Sequence, residues 1–351
     1  MKKLGIINPA NLEDCHILFI IGNGFDLGLG MKTRYEDIYK GYINTTPKSQ
    51  VIENFIKELS SRKPYDKWSD FEMGMAEYAS SLSSEHELIE CIRDFKHHLS
   101  KHIEAENDKM LSLIMDNTYR KDLVDELSRS LNGFYDGLIP NDVNTIKNII
   151  GDAYPVYNYI TFNYTTVLEA LFAVKRSYNQ TYENHPLHIH GTLKKDIVLG
   201  IDNSQQIYRP NYILTPRGER NFVKPCFNEQ YDKTRAKRAM DMISQSKIIC
   251  TYGFSFGESD RTWVNALITW LREDKNHHLV VYQYDTTKYN RYNYDEMMDA
   301  EEDKKYAFMD RLGIKYDMIE EQIHIPISYD IFNFKFVKEI GAQTANPPIT
   351  V

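Results

Sequence analysis

Ile17-Leu18-Phe19-Ile20-Ile21-Gly22-Asn23-Gly24-Phe25-Asp26-Leu27-Gly28-Leu29-Gly30 is the stretch whose reading decides the fold. Its opening residues are all apolar, mostly β-branched with one aromatic, which suits a strand buried on both faces. The glycines then open a turn, and residues 33–42 carry Tyr35, Ile38, Tyr39 and Tyr42 at helical spacing. Strand, glycine loop and helix together have the layout of a phosphate cradle. Residues without Cβ let backbone N–H groups approach an anion, and a helix N-terminus adds a favourable partial charge. The spacing departs from G-x-G-x-x-G, because Leu27 stands where the third glycine belongs and the next glycine is Gly28. A nucleotide loop and a purely structural tight turn both fit it.

Outward from this unit, apolar residues recur at three-to-four spacing over 49–62, 68–82, 84–117, 119–138 and 142–150, with no convincing strand among them. From Val156 the character changes. Aromatic and β-branched content predicts a strand over 156–162, a helix over 165–176, strands over 187–191, 197–201, 247–252 and 279–284, and helices over 229–246 and 261–272. Strands alternating with helices predict a parallel sheet covered on both faces. A helix over 294–312 then gives way to an irregular tail containing Pro326, Pro347 and Pro348. The expected organisation is an α/β core from 1–44 and 151–351 with a doubly wound, mostly parallel sheet, interrupted by a large all-helical insertion over 45–150.

A net charge of −8 opposes generic binding to a nucleic acid backbone, which rests on clustered Lys and Arg. Cys15, Cys91, Cys226 and Cys250 are scattered and form no C-x-x-C pair, which argues against a zinc ribbon or redox dithiol and predicts a cytoplasmic setting. No apolar run reaches the ~18 residues of a membrane span, and residues 4–12 are too short and polar for a signal segment.

In an open α/β sheet, ligands bind at the carboxyl ends of the strands. Four predicted strand ends carry small or polar groups: Gly22-Asn23-Gly24-Phe25-Asp26, Thr161-Phe162-Asn163-Tyr164-Thr165-Thr166, His188-Ile189-His190-Gly191-Thr192 and Tyr252-Gly253-Phe254-Ser255-Phe256. These four blocks, in this order, with Val167-Leu168-Glu169 after the second and Gly257-Glu258-Ser259-Asp260 completing the last, resemble the phage abortive-infection AbiH family. More distantly they are similar to the sirtuin-like, Rossmann-related fold, in which a glycine loop, a T-x-N segment, an H-G dipeptide and a G-x-S loop surround NAD.

The resemblance implies an anti-phage effector that holds NAD as substrate or ligand, needs no metal, meets a phage-derived trigger and forms homo-oligomers. It places Gly22 and Gly24 at the pyrophosphate, Asn163 at the nicotinamide ribose, His190 as general base and Ser255 at the adenosine half. Asn23, Phe25, Asp26, Thr161, Gly253 and Asp260 complete the implied cofactor contacts. A histidine titrating near neutrality suits proton abstraction, worth about 10²–10⁴-fold. Two departures stand out. Residues 193–207 lack the cysteines of a sirtuin zinc ribbon, which argues against protein deacylation, and Thr165 occupies the place of the sirtuin N-x-D aspartate.

Other readings share these residues. Asn163 can serve as a helix N-cap, His188 and His190 as core histidines on one strand face, and Ser255 with Glu258 as a capping box. His185, His188, His190 and Asp202, with Asp26, Glu72 or Asp260, can bind a divalent metal for phosphodiester hydrolysis. The basic residues Arg217, Arg220, Lys224, Lys233, Arg235, Lys237 and Arg238 would then meet nucleic acid. A non-catalytic nucleotide sensor is the third reading.

Overall fold

In the computed structural model, which describes residues 14–61, 70–179, 184–195, 197–207, 211–285, 287, 289, 293–315, 319–327 and 331–334, the apolar run forms β1 (Asp14–Ile21). It lies inside a six-stranded sheet. On one side it pairs with β2 (Tyr154–Thr161), Ile21 against Thr161, and on the other with β4 (Ile248–Tyr252), Ile21 against Tyr252. The sheet continues to β3 (Leu187–His188) beyond β2, and to β5 (His278–Tyr282) and β6 (Ile323–His324) beyond β4. The order is β3-β2-β1-β4-β5-β6, and every pairing is parallel. The winding therefore reverses between β1 and β4.

Burial on both faces explains the unbroken apolar sequence of β1. Ile17, Phe19 and Ile21 face one hydrophobic cluster and Leu18 and Ile20 another. Each such side chain is worth about 1.5–3 kcal/mol when fully buried. The first cluster is closed by the second half of α5 (Glu85–Met115), α6 (Arg120–Asn132) and α8 (Val167–Asn179). The second is closed by α11 (Lys233–Gln245), α12 (Arg261–Glu273) and α13 (Tyr294–Leu312). Phe19 anchors the first face, edge-on to Phe134 at 5.6 Å and stacked on Tyr159 at 5.7 Å.

Among the described residues no strand stands between β1 and β2. The chain there forms α1 (Gly24–Gly28), α2 (Tyr35–Tyr42), α3 (Gln50–Ser61), α4 (Phe71–Ala79), α5, α6 and α7 (Pro140–Ile150). α2 to α5 share a third cluster, in which Phe71 and Phe95 stack at 3.9 Å. Asp70 and Ser84 cap α4 and α5 by accepting from the amides of Met73 and Glu87. α5, at about 46 Å, links this cluster to the sheet, because its later residues Met110 and Ile114 belong to the first sheet face. Among the described residues, no helix is long and apolar enough to cross a membrane.

Several sequence expectations need correction. The glycines do not lead through an open loop to residue 33; α1 starts at Gly24 itself. Residues 197–201 form no strand. Ile197, Leu199 and Ile201 pack into the helical cluster, and the Ile201 amide donates to Phe222 O at 2.8 Å instead of to a sheet neighbour. The helix expected over 229–246 is split into α10 (Lys224–Tyr231) and α11, because Asp232 accepts from the amides of Thr234 and Arg235 and starts a new helix. α9 (Pro216–Phe222) and β6 carry too little periodicity to be read from sequence. Ser255 and Glu258 form no capping box. Residues 258–260 make a single 3₁₀ turn preceded by Gly257, and Glu258 instead pairs with Arg261 at 3.2 Å. The expected tail beyond residue 334 lies outside the described residues.

Candidate functional site

All the strands are parallel, so their carboxyl ends open on one edge, and the reversal between β1 and β4 leaves a crevice there. Its floor is made by two interlocked turns. A Cβ on Gly22 would lie 2.4 Å from Gly253 O, and one on Gly24 would lie 2.4 Å from Gly253 Cα; Gly253 itself has φ +65°. The Gly22 amide donates to Tyr252 O at 2.9 Å, the Gly24 amide to Gly253 O at 3.1 Å and the Phe25 amide to Gly22 O at 3.0 Å. The glycines are thus required by backbone packing between the ends of β1 and β4. The amides of Gly22, Gly24 and Phe25 are donated to carbonyls of these turns.

Above this floor lies a cavity of about 420 Å³, lined among others by Gly22, Asn23, Asp26, Thr33, Tyr35, Glu72, Phe162, Asn163, Tyr164, Thr165, His190, Ser255 and Asp260. It draws on the ends of β1, β2 and β4 and on the helical segment, since Glu72 comes from the buried face of α4 and Leu99 and Ile103 come from α5. Asn23 is held by a reciprocal pair with Thr33: its Nδ2 donates to Thr33 O at 3.0 Å and its Oδ1 accepts from Thr33 Oγ1 at 2.6 Å.

Asp26 is 2% exposed. Its Oδ2 accepts from the Thr165 hydroxyl at 2.9 Å, while its Oδ1 has no hydrogen-bond partner. Burial pushes the carboxyl up to about 7, tempered by the Thr165 hydroxyl and then by the Asn163 amide. Thr165 thus donates to a carboxyl group from the neighbouring strand end.

Asn163 is 7% exposed, and its Oδ1 also lacks a partner. It is not the helix cap that the sequence allowed. α8 begins at Val167, and the amide of Thr166 donates to Asn107 Oδ1 of α5 at 2.9 Å.

His190 and His188 do not share a strand face, because β3 ends at His188. His188 turns to Glu169, with its other nitrogen 2.9 Å from Asn163 O. His190 faces the cavity, and its Nε2 lies 3.0 Å from Asp260 Oδ1. Asp260 also binds Lys224 Nζ at 2.8 Å, and Lys224 lies 3.7 Å from Glu72, whose Oε2 accepts from the Tyr35 hydroxyl at 3.0 Å. Burial alone would raise the Asp260 carboxyl, but Lys224 and His190 outweigh it and hold the group well below the usual carboxylate range. Burial disfavours the Lys224 ammonium, yet Asp260 and then Glu72 more than restore it. Glu72 is pushed up to about 8 by burial, against the pull of Lys224. His190 is lowered by burial and then by Lys224, against the attraction of Asp260. An ionised Asp260 accepts, so His190 Nε2 carries the hydrogen and Nδ1 keeps its lone pair.

The structure thus brings Gly22, Asn23, Asp26, Asn163, His190, Gly253, Ser255 and Asp260 to one cavity. It leaves Phe25, Thr161 and Gly24 out of the lining. The Phe25 ring is buried against Phe332 at 5.4 Å, and the Thr161 hydroxyl accepts from the Asn163 amide at 3.1 Å. Sequence reasoning missed Thr33, Tyr35 and Tyr164, and gave Lys224 and Glu72 only outside roles. The readable signal for Glu72 was a lone carboxylate among Phe71, Met73 and Met75.

The metal cluster is not assembled. His185 is exposed, His188 and His190 take separate carboxylate partners, and Asp202 accepts from Thr262 at 3.0 Å. Among the described residues, no group of three or more His, Cys, Asp or Glu is arranged to hold a metal ion. The basic stripe is broken as well, since Lys224 and Arg235 are buried, the latter bound to Asn228 at 3.1 Å.

A family model described as bacteriophage abortive infection AbiH matches residues 18–283. No curated protein matches the chain.

Proposed function

The chain belongs to the AbiH family of bacteriophage abortive infection, and we propose that it serves that role as a hydrolase of NAD or a related nucleotide, cleaving the nicotinamide–ribose bond once infection triggers it. One observation carries the reading: the crevice at the chain reversal gathers Asn163, buried with an unpartnered Oδ1, and His190, oriented through Nε2 by Asp260. The strand order 3-2-1-4-5-6 supports it, being the order of doubly wound dinucleotide-binding sheets, whose ligands sit at this reversal. On this strand order rests our reading of the fold as Rossmann-like; the more distant sirtuin-like reading rests on the sequence motifs.

The residues suit the chemistry. Breaking the C1′–N bond returns its electron pair to the pyridinium ring, so nicotinamide leaves neutral without acid help. Positive charge develops at the ribose, water adds to C1′ and its proton passes to His190 Nδ1. Burial, by lowering the His190 pKa, keeps that nitrogen free at neutral pH. Asn163 Oδ1 accepts from a ribose hydroxyl or from the attacking water. Purified protein incubated with NAD, alone and with lysate of phage-infected cells, is expected to release nicotinamide and ADP-ribose in equal amounts. Release that persists unchanged in both His190→Ala and Asn163→Ala sinks the assignment. Saturable binding with no turnover would mark a sensor instead.

A further inference from the structure

The lining of the cavity is acidic. It carries the carboxyl groups of Asp26, Asp70, Glu72 and Asp260 and, among the described residues, no lysine or arginine. The one buried ammonium nearby, Lys224, is engaged by Asp260 and Ser259 O at 2.8 and 2.9 Å. The amides of Gly22, Gly24 and Phe25 are donated to carbonyls. The lining thus offers a phosphate no guanidinium or ammonium partner. Two buried carbonyl-type oxygens of the lining, Asp26 Oδ1 and Asn163 Oδ1, have no hydrogen-bond partner. A volume of about 420 Å³ is also at the small end for ligand sites.

We infer that the cavity takes the nucleoside end of its substrate, an N-ribosyl pyridinium whose ribose diol donates to Asp26 Oδ1 and Asn163 Oδ1, and leaves the phosphates at the mouth. This rests on the hydrolase reading and names what its site selects. Asp26 is the specificity residue: Thr165 fixes one carboxyl oxygen and the ligand completes the other. Cleavage removes the pyridinium ring, so the spent ribose product loses the contacts that the ring makes.

The test is calorimetric titration of the full chain with unreactive carbocyclic nicotinamide riboside, its deoxy analogues lacking one diol hydroxyl, its 5′-monophosphate, and ADP-ribose. Wild-type protein is expected to lose about tenfold in Kd with a deoxy analogue, as for one buried hydrogen bond, and to change only about threefold or less with the added phosphate. ADP-ribose should bind about tenfold or more weakly than the riboside. Asp26→Ala should abolish discrimination against the analogue lacking the hydroxyl that Asp26 takes while leaving that against the other, and Asp26→Asn should keep part of it. Equal binding of the deoxy analogues by wild type, or ADP-ribose binding as tightly as the riboside, overturns the inference without any variant. If nicotinamide is released but these preferences are absent, the hydrolase reading stands and this one falls. Binding of none of the probes removes both.

Discussion

Replacing Asp26 by asparagine tests whether this carboxyl is as buried and as poorly satisfied as the structure has it. Burial raises it from 3.8 to about 7. Between those values the folded protein keeps a proton that the unfolded chain has released, so stability falls as pH rises through the window, at about 1.4 kcal/mol per unit. The full penalty above pH 7 is therefore about 4 kcal/mol. Asp26→Asn preserves shape and an acceptor for the Thr165 hydroxyl but carries no charge. The variant should match wild type near pH 4 and exceed its stability progressively above that, by a few kcal/mol at pH 8.5. Urea midpoints of both proteins across that range, read by circular dichroism, supply the comparison. A difference that does not change with pH, or a variant less stable at pH 8.5, would refute the reasoning.

Gly24→Ala should destabilise by about 3 kcal/mol or prevent folding, because its Cβ would meet Gly253 Cα at 2.4 Å, whereas Gly28→Ala, whose Cβ comes no closer than 3.5 Å to Tyr252 Oη, should be tolerated; chemical denaturation separates the two. Lys224→Met strips the ammonium from buried Asp260 and should cost about 3–5 kcal/mol. In the same variant the acid limb of the pH–rate profile for nicotinamide release should move upward, since Lys224 is one of the groups that lower His190. Asn107→Ala removes the acceptor for the Thr166 amide at the start of α8 and should cost about 1–3 kcal/mol in thermal unfolding.

The sheet was legible because five consecutive apolar residues at 17–21 admit little besides a doubly covered strand, and because the later apolar runs alternate with helical spacing. β3 was read from its apolar content but is shorter than expected, ending at His188, whereas β6, two residues long, was beyond such reading, since it owes its place to the strand it joins and not to its own pattern. The site was legible as four strand ends, and Asn163, His190, Asp26 and Asp260 do meet in one cavity. What the glycines do was not. Their spacing reads equally as an anion loop or as a packing motif, and the packing role is visible only in the 2.4 Å approach to Gly253. Glu72 and Lys224 were hidden for a different reason: they reach the site from helical segments, and sequence order says nothing of which helix face turns toward a distant strand end.

The most direct measurement is a crystal structure of the His190→Ala protein soaked with NAD. Density is expected in the cavity, with ribose hydroxyls within hydrogen-bond distance of Asp26 Oδ1 and Asn163 Oδ1 and the diphosphate leading outward. A diphosphate seated on Gly22–Gly24, or ligand bound elsewhere with the cavity empty, would contradict it.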